Sequence, residues 1–339
     1  MAVLWSQWIF MAVNAVSLPP YILILIIFAK EWKQNHLQRT FYLLFMSQSI
    51  VDLLVMGNYF IFWTIRTSEV INWLFWQYRH YYLAAWCFNQ TYISVIIRCF
   101  GVLLGSFQRY LSMCKHGKWL EQMVNTSHRW TLPVLHWLVP ILYSIPLLCL
   151  VDVSFASVAD VEVMAPQHAI VLATSMTALF VCITFILCSC CYVGILDFLI
   201  RNRHNSNVAV KREARVYVQM MGLFVAFMLL FVYDAVLFVF SLRSNDGSAF
   251  TMRIIFPVIS CFFSYVNVWM MIALNEDIRK KILMLLGFRR NSQMSVAPSF
   301  TTRALPMVVG KNGRGLTTFN IRTSSTSSKF PSPLITIGI

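Results

Sequence analysis

Charged side chains are scarce. Asp, Glu, Lys and Arg together make up 12% of the 339 residues, against about 25% in a soluble domain. With 58% hydrophobic residues and a mean hydropathy of +0.66, a soluble fold of this length could not hide the apolar surface. A soluble binding module is therefore excluded, and a polytopic membrane protein whose surroundings are the lipid bilayer is expected. Acids are scarcer still, 13 against 27 Lys and Arg, which leaves a net charge of +14. In a soluble protein that excess would suggest nucleic acid. Here Lys- and Arg-rich cytoplasmic loops explain it, and no nucleic-acid partner is expected. The first 29 residues contain no Lys or Arg, so the basic start of a cleavable signal peptide is missing, and this stretch reads as a first span with its N-terminus outside. No internal repeat is found, which disfavours the main alternative function, a membrane transporter or channel built from duplicated halves. The seven His are scattered at 36, 80, 116, 128, 136, 168 and 204, without an acid cluster at one depth, so neither an enzyme nor a catalytic residue is expected. Cys188, Cys190 and Cys191 cluster inside an apolar stretch without hydrophilic neighbours, so no metal and no cofactor are expected.

What remains is apolar and long. Seven stretches are marked, at about 6–29, 40–65, 81–108, 131–151, 168–200, 215–242 and 250–274, each near the 20 or so residues that a crossing needs. Placing the N-terminus outside leaves only Arg66, Arg79, Arg243 and Arg253 on the outer side. The other basic residues, Arg98 aside, fall inside. Such asymmetry fixes orientation. After the seventh stretch, Asn275–Gly287 has Glu276 and Asp277 at its start. Ile278, Ile282, Leu285 and Leu286 recur there at helical spacing opposite Arg279, Lys280 and Lys281, which predicts an amphipathic helix on the inner leaflet. From Asn291 the chain turns Ser- and Thr-rich and is read as a disordered tail. The expected fold class is an all-α integral membrane protein. It comprises a seven-transmembrane-helix bundle domain over 1–290, ending in the amphipathic helix, and a disordered cytoplasmic tail over 291–339.

The third stretch carries Arg98 near its middle and Arg109 near its end. Eleven residues are about three turns, so both point the same way. That way must be inward, because a charge facing acyl chains costs several kcal/mol. Asp52 lies mid-span in the second stretch, at a depth where Arg98 can meet it. An ion pair between them is expected; the alternative is Arg98 bound to backbone carbonyls and water. Asn267 is placed in the same polar network. Trp86, Gln90, Thr91 and Val95 of the third span, His168 at the top of the fifth, and Tyr233 and Asp234 in the outer half of the sixth form a candidate small-molecule pocket.

Position gives these residues further meaning. Gln108-Arg109-Tyr110 closes the third of seven helices at the inner edge and resembles the Asp-Arg-Tyr motif of G-protein-coupled receptors, with Gln108 in place of the acid. In that family the Arg engages the transducer when the sixth helix swings outward. Asp52 resembles the second-helix Asp that binds sodium in many such receptors, which implies that Arg98 substitutes for the cation. Asn267-Val268-Trp269 resembles the Asn-Pro-x-x-Tyr region, with Val268 for Pro and Met271 for Tyr. The superfamily's disulfide would join the outer end of the third helix to the second external loop. Cys87 stands near one end; the loop Asp152–Gln167 lacks Cys and Cys149 is the nearest candidate, so either these two pair or the bond is absent. SLPPYILILIIFAK, QSIVDLL, QRYLSMC and NEDIRKKIL, in that order, resemble the nematode serpentine chemoreceptors, especially the srv class of the Srg superfamily, over about residues 6–290. The resemblance implies a chemosensory receptor of the plasma membrane, extracellular at its N-terminus and cytoplasmic at its C-terminus, often on a sensory cilium. It also implies an unidentified small-molecule ligand and a heterotrimeric G protein as partners.

Overall fold

A computed structural model describes residues 5–34, 39–66, 71–114, 130–157, 161–201, 208–243 and 246–286. The chain divides into two units, Met1–Met294 and Ser295–Ile339, and every described residue belongs to the first. The tail expected over 291–339 lies outside the described residues.

Long helices dominate. Helix α1 spans Trp5–Gln34, α2 Arg39–Tyr59, α3 Asn72–Gln77, α4 Leu83–Cys114 and α5 Thr131–Tyr143, followed by one turn, α6, at Ile145–Leu148. Then come α7 over Gln167–Arg201, α8 over Val208–Leu242, α9 over Asp246–Leu274 and α10 over Glu276–Leu285. Among the described residues, six segments are long and apolar enough to cross a membrane: Trp5–Lys30, Tyr42–Ile65, Leu83–Cys114, Gln167–Arg201, Tyr217–Leu242 and Ile254–Leu274. The shorter apolar helix Thr131–Tyr143 reaches further through α6. Pro146 has no amide to continue the ladder, so the helix breaks at Ser144, and bonds from Ser144 N to Pro140 O (2.9 Å) and Leu148 N to Ser144 O (3.0 Å) carry the chain across.

Central to the packing is α4, which lies against α2, α5 and α7, while α9 packs between α1 and α8. On α7, Ala173, Thr177, Val181, Thr184 and Cys188 are buried at helical spacing, and Leu179, Ile183, Ile186 and Val193 are exposed. This is the division expected where one face meets protein and the other meets acyl chains. Phe185 of α7 stacks on Phe224 and Phe231 of α8, with ring centroids 5.4 and 4.7 Å apart. Along α1, Asn14 Oδ1 accepts from the Tyr265 hydroxyl (2.5 Å) and Ser17 Oγ from Trp269 Nε1 (3.0 Å), stitching it to α9.

At one end, β1 (Ser154–Phe155) and β2 (Val163–Met164) form an antiparallel pair, Ser154 opposite Met164 and Phe155 opposite Val163. This hairpin end lies in the connection between α6 and α7. The second helix reaches the same end in a π-helical turn, Phe60–Ile65. Its wider register takes the Arg66 amide to Ile61 O. The Arg66 guanidinium folds back to Phe62 O (2.8 Å) and also donates to Val161 O of the hairpin connection. At the other end, Asn275 caps α10, its Oδ1 accepting from Asp277 N (3.0 Å) and Ile278 N (3.4 Å). Ile278 is buried and Leu285 and Leu286 are exposed.

Candidate functional site

Helix geometry brings the two mid-span charges together. Arg98 Nε donates to Asp52 Oδ1 at 2.9 Å, and Arg98 is 1% exposed. The guanidinium then reaches α9: one terminal nitrogen donates to Ser260 Oγ (2.6 Å), the other to Ser260 O (2.9 Å) and Ser264 Oγ (2.6 Å). Four of the five N–H groups of the guanidinium are thereby used, and its carbon lies 4.7 Å from the Phe263 ring centre. Asp52 accepts further from the Tyr21 hydroxyl (3.2 Å), Gln48 Nε2 (3.5 Å) and Ser264 Oγ (3.3 Å). One buried network therefore ties α1, α2, α4 and α9. Attraction offsets the desolvation of two buried charges only when geometry is good and the remaining polar atoms are bonded, and both conditions hold here. Asn267 is not in this network. It lies three residues beyond Ser264 on α9 and accepts from Gln219 Nε2 of α8 at 2.8 Å.

A second buried junction sits beside the first. His136 Nε2 is 3.2 Å from Ile97 O, and its Nδ1 is 2.8 Å from Ser47 Oγ, which also receives Trp137 Nε1 at 3.0 Å. A carbonyl only accepts, so in the neutral ring Nε2 carries the hydrogen and Nδ1 accepts from Ser47. Gly101 on α4 makes room for it: a Cβ there would stand 2.5 Å from His136 Nε2 and overlap the Gln48 amide.

Opposite the hairpin end, Arg109 and its neighbours lie in the last turns of α4, which runs on to Cys114. Tyr110 packs on Gly194 of α7, where a Cβ would stand 2.5 Å from Tyr110 Cε2. Cys114 Sγ is 3.5 Å from Gly194 O, and Ser106 Oγ donates to the Tyr192 hydroxyl at 3.4 Å. Gln108 is half-buried, and its Oε1 has no partner among the described residues. The Gln219–Asn267 bond joins α8 to α9 at this same end.

The other sequence candidates are dispersed. Gln90, Val95, Tyr233 and Asp234 are buried and Thr91 is half-buried. Tyr233 donates to Met252 O at 3.2 Å, while Asp234 Oδ2 and Gln90 Oε1 lack partners among the described residues. His168 is exposed; one residue is about 100° of helix, and its neighbour Ala169 takes the inward face. Trp86 lines a cavity of about 560 Å³ at the hairpin end, which none of the other six lines. Of the two candidate disulfide partners, Cys87 is buried, Cys149 is exposed, and both thiols are free in the structure. Arg66, bonded to Val161 O, anchors the hairpin connection instead.

A bundle of seven apolar helices, a buried ion pair at its waist and an Arg at one mouth define a serpentine membrane receptor. The family model described as serpentine type 7TM GPCR chemoreceptor Srv matches residues 10–288, and the chain belongs to that family. It is accordingly a multi-pass membrane protein of a receptor family rather than an enzyme family. A comparison with curated proteins finds no match.

Proposed function

We propose that the chain is a chemosensory receptor that binds a small extracellular ligand and activates a heterotrimeric G protein through Gln108, Arg109 and Tyr110. Residues 1–290 form the receptor domain, and 291–339 a cytoplasmic tail. The N-terminus and the hairpin end are extracellular, and the Arg109 end faces the cytoplasm of a plasma membrane, on a cilium where the cell has one. The observation that carries this reading is the shared face of α4. Arg98 is sequestered completely at the waist, while Arg109, three turns on, is only half-buried and sits where a cytoplasmic partner can reach it. In the resting bundle the Arg98 guanidinium occupies the space beside Asp52 that the resemblance assigns to sodium, so no free cation is needed there. Outward movement of the Gln219 end of α8 would break the Gln219–Asn267 hydrogen bond and slide Phe224 and Phe231 across Phe185. A ligand drives that change only by binding the moved state better.

The test is a reporter cell expressing the receptor at matched surface levels and exposed to a panel of small metabolites and volatiles. Arg109→Ala should reduce the wild-type response by about tenfold or more, the equivalent of one strong charge-assisted contact. A response that survives the substitution at full size would overturn the assigned coupling site.

A further inference from the structure

The cavity at the hairpin end lies apart from the buried residues that sequence reasoning grouped into a pocket. Its walls come from the π turn after α2 (Ile61, Phe62), from α3 (Leu74, Phe75), and from Tyr82 just before α4 and Trp86 at its start. At about 560 Å³ it falls within the roughly 300–1,000 Å³ of small-molecule sites. We propose that this cavity is the ligand site of the receptor and that its ligand is an uncharged, largely apolar small molecule. The inference rests on the receptor reading and gives that reading a chemistry.

Charge decides the class. Among the described residues, the walls carry no ionisable side chain other than tyrosine. The Tyr82 hydroxyl is already engaged, donating to Leu148 O (2.7 Å) and accepting from Asn89 Nδ2 (2.8 Å). Nearby Arg79 is turned onto the Trp76 ring, 4.5 Å from its centre. An ammonium or carboxylate entering here would lose hydration without meeting a counter-charge among the described walls, whereas rings and alkyl groups would meet matching surface. The wall is also built for response. A π turn is rare and often marks a functional position. This one begins immediately after Tyr59, whose ring lies 5.6 Å from Phe256 of α9, itself 5.2 Å from Tyr233 of α8. On the other flank, Phe75 touches Phe62 (6.4 Å) and Phe155 of the hairpin (6.4 Å). A molecule that spreads the π turn from α3 therefore presses, through the backbone between Phe62 and Tyr59, on the rings of Tyr59, Phe256 and Tyr233, which lead to the helix expected to move.

Full-length receptor in phosphatidylcholine nanodiscs tests this without any G protein. The probes are N-phenyl-1-naphthylamine, which is neutral, and 1-anilinonaphthalene-8-sulfonate, which has the same rings plus a sulfonate. After subtraction of empty nanodiscs, the neutral dye should bind saturably and about tenfold or more tighter than the sulfonate. Ile61→Trp and Leu74→Trp, which fill the cavity from opposite walls, should each weaken it about tenfold. Leu179→Trp, on the exposed face of α7, should not. Leu74 lies on the short α3 outside the long helices, so it reads the cavity even where Ile61→Trp fails to fold. Fluorescence that never saturates, equal affinity for the two dyes, or indifference to Leu74→Trp would overturn the proposal. So would native mass spectrometry showing a phospholipid held by wild type and lost from Leu74→Trp. Failure here leaves the Arg109 test untouched, and failure of that test leaves dye binding intact.

Discussion

Arg98→Ala is expected to remove the protein from the cell surface. The substitution strands a buried carboxylate, Asp52, together with Ser260 Oγ, Ser264 Oγ and Ser260 O, all of which face Arg98 within 2.9 Å. Breaking a buried pair by deleting one partner costs about 3–5 kcal/mol, a large share of the roughly 5–15 kcal/mol that holds a typical domain folded. Surface signal from a tagged receptor should fall to about a tenth or less. Lysine should rescue poorly, because a single ammonium cannot reach Asp52 and both serines with the geometry of a planar fork. Asp52→Leu should fail for the reciprocal reason, leaving the guanidinium uncompensated. Combined as Arg98→Met with Asp52→Leu, the two should restore more surface protein than either alone, since well-packed apolar pairs often replace buried ion pairs at little cost. The serine hydroxyls left behind can turn to carbonyls of their own helix. Surface counts of wild type, Arg98→Met, Asp52→Leu and the double variant measure the coupling. Strictly additive losses would show that the two side chains act independently.

Gly101→Val should be nearly as severe, for a steric reason. The α2–α4–α5 contact is closed around a missing side chain. His136 is held at both ring nitrogens, by Ile97 O and by the Ser47–Trp137 pair, so it cannot step aside. Gln48 can, but its amide leans on Asp52 at 3.5 Å, and moving it disturbs the same carboxylate. Overpacking a tight core costs about 1–3 kcal/mol. Gly101→Ala should therefore lower surface expression partly and thermal stability in detergent by several degrees, with Val lowering both further. Gln48→Ala should recover much of the Gly101→Ala loss by vacating the overlapping volume. If Gly101→Ala is neutral in both measurements, the helices are not as close as described.

These two regions mark how far the sequence can be read. A charge in mid-span has one tolerable direction, so spans, the common face of Arg98 and Arg109, and a meeting of Arg98 with Asp52 follow from cost alone. The rest of the network depends on helix rotation, which an almost uniformly apolar span does not reveal. Ser260 and Ser264 look like any small residues in lipid. Only their four-residue spacing, which puts both on one face of α9, hints that they serve a common partner. His136 was counted among scattered histidines, although its place inside an apolar 13-residue helix was itself a signal of a buried polar contact. Asn267 was grouped by analogy of position, whereas α9 turns it toward Gln219. The cavity was illegible because its walls join three separate elements, one of them a π turn that no residue pattern announces. His168 sits at the start of α7 with its side chain exposed, one residue from the inward-facing Ala169.

Orientation carries everything else, because Arg109 can serve a G protein only from the cytoplasm. Epitope tags at the two termini, probed with antibody before and after permeabilising the cells, measure it directly. The account predicts that the N-terminal tag stains intact cells and that the tag beyond Ile339 stains only after permeabilisation. Staining of the C-terminal tag on intact cells would contradict it.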